Sequence, residues 1–228
     1  MVWSTIGVVG AGLGIFAALM VTENFIEPQP PEVVQTTVPT FLDTDVEIPI
    51  PLPANRAELW NILSADTAQA SAQVTYMYPV ITTETGSVPA STEEILKVLE
   101  LRAEGSFTRS LDEHLMFGAV ETLRKEPYII LQSSNFDVAF AGMLKWERDM
   151  SSDLSPFFGS PVLRTLPPTG TAASTNPRFV DALTSEQTIR ILYDEAGNER
   201  IVYAFVNKNL IIITTSTEAL ATLIERIK

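Results

Sequence analysis

Tyr128-Ile129-Ile130-Leu131-Gln132-Ser133-Ser134 runs straight into the apolar-periodic stretch that begins at Asn135, and Leu210-Ile211-Ile212-Ile213-Thr214-Thr215-Ser216 runs into another that begins at Thr217. Each stretch reads as a short apolar strand, then a hydroxyl side chain able to accept from free amides at a helix start, then a helix. Ile130 stands about 82 residues before Ile212, and at that spacing Val138 aligns with Leu220 and Ala139 with Ala221. Each half therefore reads strand, strand, helix. Two similar β-β-α halves are one account of the match; the other is that any strand-to-helix junction favours a hydroxyl cap. Under either account the expected fold class is α+β, an antiparallel sheet with helices packed on one face.

The elements around these two segments extend the pattern. Asn55 precedes apolar positions at helical spacing in Leu59, Trp60, Ile62 and Leu63. Gln73 to Thr82 alternates and is rich in Val, Tyr and Ile, so it reads as a strand, with Tyr76 and Tyr78 on one face as either a recognition stripe or a half-buried layer. Ser91 with Glu94 three residues on is a capping box that opens a helix. His114 to Leu123 and Tyr128 to Gln132 read as paired strands, and Asn135 to Met150 as a helix. Thr188 to Tyr193, Arg200 to Val206 and Leu210 to Thr215 read as a hairpin series. Gly197 and Asn207 supply positive φ at its turns. Thr217 to Lys228 closes the chain as a helix.

Three segments break this periodicity. Val2 to Val21 carries no charge, and at about 1.5 Å per residue it spans roughly 30 Å, so residues 1–22 read as a single transmembrane helix. Within it Gly10 and Gly14, extended by Ala18, form a small-residue stripe that would let two such helices approach, so a homo-oligomer through this helix is one expectation. The same glycines imitate the start of a dinucleotide-binding turn, but Ile15 stands where the third glycine belongs and Pro28-Gln29-Pro30-Pro31 follows in place of a strand. Residues 23–53 hold seven prolines and read as an extended spacer, which leaves residues 54–228 for the domain. Residues 151–177 are again proline-rich. A structureless loop of that length is usually functional, and Phe157 and Phe158 are its candidate partner-binding anchors.

Composition removes whole classes of function. The formal net charge is −13 with no basic run, so nucleic acid and anionic headgroups are both repelled. Without cysteine there are no disulfides, thiolate zinc sites or cysteine nucleophiles. His114 is the only histidine. Asp112, Glu113, Ser106 and Ser110 lie near it in sequence, but there is no G-x-S-x-G turn, and strand neighbours point to opposite faces. No catalytic, cofactor-binding or metal-ligating residues are assigned. Acidic pairs such as Asp112 with Glu113 or Glu93 with Glu94 arise readily among 28 acidic residues, and a helix dipole already accounts for the second pair. Asp194 to Glu199 lacks the alternation of a calcium loop and reads as a hairpin turn.

Apolar anchor, proline-rich stalk and an acidic, cysteine-free domain containing Phe140-Ala141-Gly142-Met143-Leu144-Lys145-Trp146-Glu147 resemble single-pass envelope proteins of reduced-genome bacteria. The resemblance covers layout and part of one helix, and implies no functional residues. No Lys or Arg occurs before Arg56, so loop charge does not orient the helix; the acidic Glu23, Glu27 and Glu32 after it favour the amino end inside and the domain outside. The expected function is a membrane-anchored, extracytoplasmic, non-catalytic domain binding a protein partner of the cell envelope. A carboxylate-dependent envelope hydrolase and a transmembrane small-ligand sensor are the alternatives. Deleting residues 1–27 is expected to move the protein from the carbonate-washed membrane pellet to the soluble fraction. A deletion variant that stays in the pellet would refute the anchor.

Overall fold

The computed structural model describes residues 40–84, 86–159, 178–184 and 187–228. They belong to a compact unit spanning Thr37 to Lys228, and the segment Val2 to Val21, with Gly10, Gly14 and Ala18, lies outside the described residues. The elements run β1 (Val46–Pro51), α1 (Arg56–Gln69), β2 (Val74–Thr83), β3 (Gly86–Pro89), α2 (Thr92–Leu99), α3 (Gly105–Thr108), β4 (Leu111–Glu121) and β5 (Lys125–Ser133). They continue with α4 (Phe136–Phe158), β6 (Phe179–Thr184), β7 (Gln187–Tyr193), β8 (Glu199–Val206), β9 (Leu210–Thr214) and α5 (Thr217–Glu225). All nine strands form one sheet in the order β1-β2-β4-β5-β9-β8-β7-β6, with β3 paired to the far half of β2. Every pairing is antiparallel except β1 with β2. The fold is mixed α+β.

Helices lie on both faces of this sheet, which corrects the expectation of one. Ile129, Leu131, Ile211 and Ile213 point to a core shared with Trp60 of α1, Ile95 of α2, Phe107 of α3 and Met143 and Trp146 of α4. The alternate residues Tyr128, Ile130, Leu210 and Ile212 point the other way, to Ala219, Leu220 and Leu223 of α5 and to Leu42. A strand buried on both faces reads as an unbroken apolar run, and that is why β5 and β9 do not alternate. Because β5 and β9 are antiparallel neighbours, a two-fold axis normal to the sheet would place α4 and α5 on the same face. The two strand-strand-helix units exist, but no such axis relates them. Their caps also differ from the expected pair: Asn135, not Ser134, accepts from the Val138 amide at 3.2 Å, while Ser216 accepts from Ala219 at 3.1 Å.

The domain begins earlier than residue 54. Leu42 bridges to Ile227, and β1 pairs in parallel with β2 from Val46 to Pro51, inside the segment expected to be spacer. The prolines do not prevent this, because β1 is an edge strand. The Leu52 amide donates to Val80 O at 2.9 Å, so by alternation the amides of residues 49 and 51 would face the open side, where proline forfeits no ladder bond.

Residues 151–158 continue α4 and are not part of a loop; residues 160–177 lie outside the described residues. Pro156 is tolerated inside the helix, since Ser152 O, which a residue-156 amide would otherwise reach, accepts from Ser155 Oγ at 3.2 Å. This last turn carries Phe157 to the core. Its ring is 6 % exposed and stacks on Trp60 with centroids 5.6 Å apart, and Phe117 meets it edge-on at 6.3 Å. Phe158 is partly buried against the same cluster. The expected partner anchor is thus a packing residue, because helix periodicity turns it inward.

Asp153, one turn before Phe157, has a fully buried side chain. It accepts from Trp146 Nε1 at 2.8 Å, from the Arg102 amide at 2.8 Å and from Arg102 Nε at 2.9 Å, with Arg56 Nη2 at 3.4 Å. One carboxylate so ties α4 to α1 and to the α2–α3 connection. Gly142 allows α3 to sit directly on α4, since a Cβ there would lie 2.4 Å from Phe107 Cβ. Phe157→Ala is expected to lower the free energy of unfolding by about 3–5 kcal/mol in urea titration; a loss under about 1 kcal/mol would mean that the ring is not part of the core.

Candidate functional site

The first half of α4 shows a different face from the second. Phe136, Phe140 and Leu144 recur every four residues and form a stripe beside Phe205 of β8. Phe136 and Phe140 stack at 5.6 Å, and Phe205 meets them at 5.3 and 5.6 Å. Phe140 remains 40 % exposed and Leu144 39 %. Between this stripe and the strands β6 to β8 lies a groove of about 470 Å³, with Thr188, Arg190 and Tyr203 on its floor.

At the far end of the stripe its polar groups satisfy one another. Glu147 Oε1 accepts from Tyr203 Oη at 2.6 Å and from Arg190 Nε at 2.8 Å, while Oε2 accepts from Arg190 Nη2 at 2.7 Å. Arg190 Nη1 donates to Asp181 Oδ1 at 2.9 Å. The hydrogen bond to Glu147 holds the Arg190 guanidinium above its ordinary range; burial, and then the same carboxylate, raise the Tyr203 phenol. Tyr203 stays a neutral donor and Arg190 a cation throughout the physiological range. Glu147, with both oxygens engaged, is not poised to take a proton from a substrate. The groove can bury apolar side chains over a charge-compensated floor, and it offers no activated nucleophile.

A larger cavity of about 900 Å³ lies between α2, α3 and the start of β4. It brings together Glu93, Asp112 and Glu113 from the sequence candidates, with Glu100, Lys97 and Arg109. Glu94 is engaged elsewhere, in the capping box: its Oε2 accepts from the Ser91 amide at 2.9 Å, a bond that holds its carboxyl below the usual range. No group of three or more His, Asp or Glu side chains among the described residues is arranged to hold a metal.

None of the other sequence candidates lines this cavity. His114 is half-buried on β4 and makes no side-chain hydrogen bond among the described residues. Ser110 Oγ donates to Phe107 O at 2.7 Å. Asp194 Oδ1 accepts from the amides of Ala196 and Asn198 at 2.9 and 2.8 Å, a hairpin turn as expected. Tyr76 is buried and Tyr78 half-buried, with rings 5.4 Å apart, so the pair is a packed layer. The aromatic groove was missed by sequence reasoning, although Phe136, Phe140 and Leu144 at four-residue spacing, beside the inward Ala139, Met143 and Trp146, carried its signal.

Arg190→Leu is expected to cost about 2–3 kcal/mol in urea unfolding, because the Glu147 carboxyl would lose its two hydrogen bonds from Arg190 in a largely buried place. Phe140→Ser should cost only about 1 kcal/mol, as for a surface position. Equal losses would contradict the division between supporting floor and free rim. No protein-family model matches the chain, and no match is found among curated proteins or solved structures.

Proposed function

We propose that this chain is a membrane-anchored, extracytoplasmic, non-catalytic domain that binds or scaffolds another protein of the cell envelope, and that the groove beside Phe140 is its contact surface. The observation that carries the reading is the contrast within one site. Phe140 and Leu144 stay exposed as a contiguous apolar rim, while Glu147, Arg190, Asp181 and Tyr203 beneath them are mutually bonded. Large apolar groups kept at the surface suit recognition, and neutralised charges do not suit acid–base chemistry. The uncharged run Val2 to Val21 supports the anchor, and the net charge of −13 favours a protein partner over nucleic acid. A second reading, a carboxylate-dependent envelope hydrolase, draws on Glu93, Asp112 and Glu113 lining one cavity.

A photo-cross-linking amino acid at position 140 of the full-length chain, irradiated in native membranes, tests the reading. It should give one discrete protein adduct, whereas the same residue at the exposed position 123 should give none. Absence of an adduct at 140, together with peptide or glycan cleavage by the purified chain that Asp112→Asn abolishes, would favour the hydrolase.

A further inference from the structure

One end of the sheet gathers cations in a chain that is otherwise acidic. The turn from β4 to β5 brings Arg124 and Lys125, and the start of β8 brings Arg200, to two adjoining cavities. The larger, of about 460 Å³, is lined by Arg124, Asn198, Glu199, Arg200 and Ser216. The smaller, of about 170 Å³, shares both arginines and Glu199 and adds Lys125, Pro127, Phe158 and Thr215. Among the described residues, three cations and one carboxylate therefore line the pair. In the cavity between α2 and β4 the balance is reversed, with Lys97 and Arg109 against Glu93, Glu100, Asp112 and Glu113.

The carboxylates at this end draw their hydrogen bonds from neutral donors, not from Arg124 or Lys125. Glu199 Oε2 accepts from the Thr217 amide at 2.7 Å and Oε1 from Thr217 Oγ1 at 3.2 Å, in the first turn of α5, where the helix dipole offsets its charge. The buried Glu126 accepts from Thr122 Oγ1 at 2.7 Å and from Thr215 Oγ1 at 2.6 Å. Arg124 comes only to 3.8 Å from Glu126, longer than a hydrogen bond; its side chain is 65 % exposed and forms no hydrogen bond among the described residues. Lys125 Nζ donates at 3.2 Å to Ala68 O, which is uncharged. The planar fork of Arg124 is thus open to an oxyanion, with a second guanidinium, that of Arg200, lining the same cavities.

Charge and size select the ligand. A net charge of −13 repels a polyanion or an anionic membrane as a whole, whereas a small anion within a cavity meets mainly the cations that line it. A phosphate monoester carries a charge of about −1.5 to −2 at neutral pH, which matches the local excess of cations, and arginine forks suit its oxygens. Pro127 and Phe158 in the smaller cavity offer an apolar wall to an attached organic group.

We propose that this end of the sheet binds a small, soluble phosphate monoester, its phosphoryl group in the cavity lined by Arg124 and Arg200 and its organic part against Phe158. The site shares no residue with the aromatic groove and does not depend on what the groove binds.

Titration calorimetry of phenyl phosphate into the full-length chain in a non-ionic detergent tests this. The Kd should lie below about 1 mM and be at least about threefold tighter than that of inorganic phosphate. Arg124→Gln and Lys125→Gln should each weaken binding about tenfold, while Lys97→Gln in the acidic cavity leaves it unchanged. Because Arg124 is largely exposed, its variant should keep the melting temperature within about 2 °C, which separates lost binding from lost fold. Dihexanoyl phosphatidic acid presents the same phosphoryl group on a lipid and should bind no better than phenyl phosphate; tighter binding would assign the site to a headgroup and overturn the soluble ligand. Absence of saturable binding, or equal weakening by Arg124→Gln and Lys97→Gln, would overturn the site itself.

Discussion

The pairing of β5 with β9 is the constraint on which the rest of this protein depends. Ile129 lies opposite Ile213, Ile130 opposite Ile212 and Leu131 opposite Ile211, so six aliphatic side chains from two strands feed both cores at once. The ladder at this seam is covered on one face by α4 and on the other by α5. Neither helix could bury its apolar stripe without it. A one-residue slip would exchange the two faces and set Gln132 and Thr214 against the wrong cores. Register here therefore fixes where both helices sit.

From that seam α4 runs outward and does two different jobs along its 23 residues. Its second half is immobilised by Trp146, Phe157 and the buried Asp153, whose hydrogen bonds reach Arg56 and Arg102 on neighbouring elements. Breaking such a carboxylate's contacts one at a time would leave a charge stranded in the core, so the network fixes geometry even where its net contribution to stability is small. The first half of the same helix, held by that rigid end, projects Phe136, Phe140 and Leu144 beyond the protein's own core. On the proposed reading, anchoring the groove to an element fixed at one end would reduce the entropy lost when a partner docks.

Much of the element order was legible in the sequence, because local chemistry decided it. Asn55, the Ser91 and Glu94 box, and Ser216 each cap the helix that their residue types announce. What escaped sequence reasoning depends on tertiary context. Pro49 and Pro51 argue for a spacer until β2 offers a parallel partner that needs none of their amides. Pro156 argues for a helix end until Ser155 supplies the missing donor. The placement of helices on both faces was in fact written in the unbroken runs Tyr128 to Leu131 and Leu210 to Ile213, which mark strands covered on two sides. β6 went unread because it is short and follows a proline-rich stretch. The groove has no motif: it arises where helix spacing on α4 meets Phe205 on a strand more than sixty residues later.

Native-state hydrogen exchange on the full-length chain tests the central claim most directly, that one sheet joined at β5 and β9 forms a single cooperative unit. The account predicts that amides of β4, β5, β8 and β9 exchange only through a common opening with one free energy and one denaturant dependence. Two separate openings, with β8 and β9 exchanging while β4 and β5 remain protected, would contradict it.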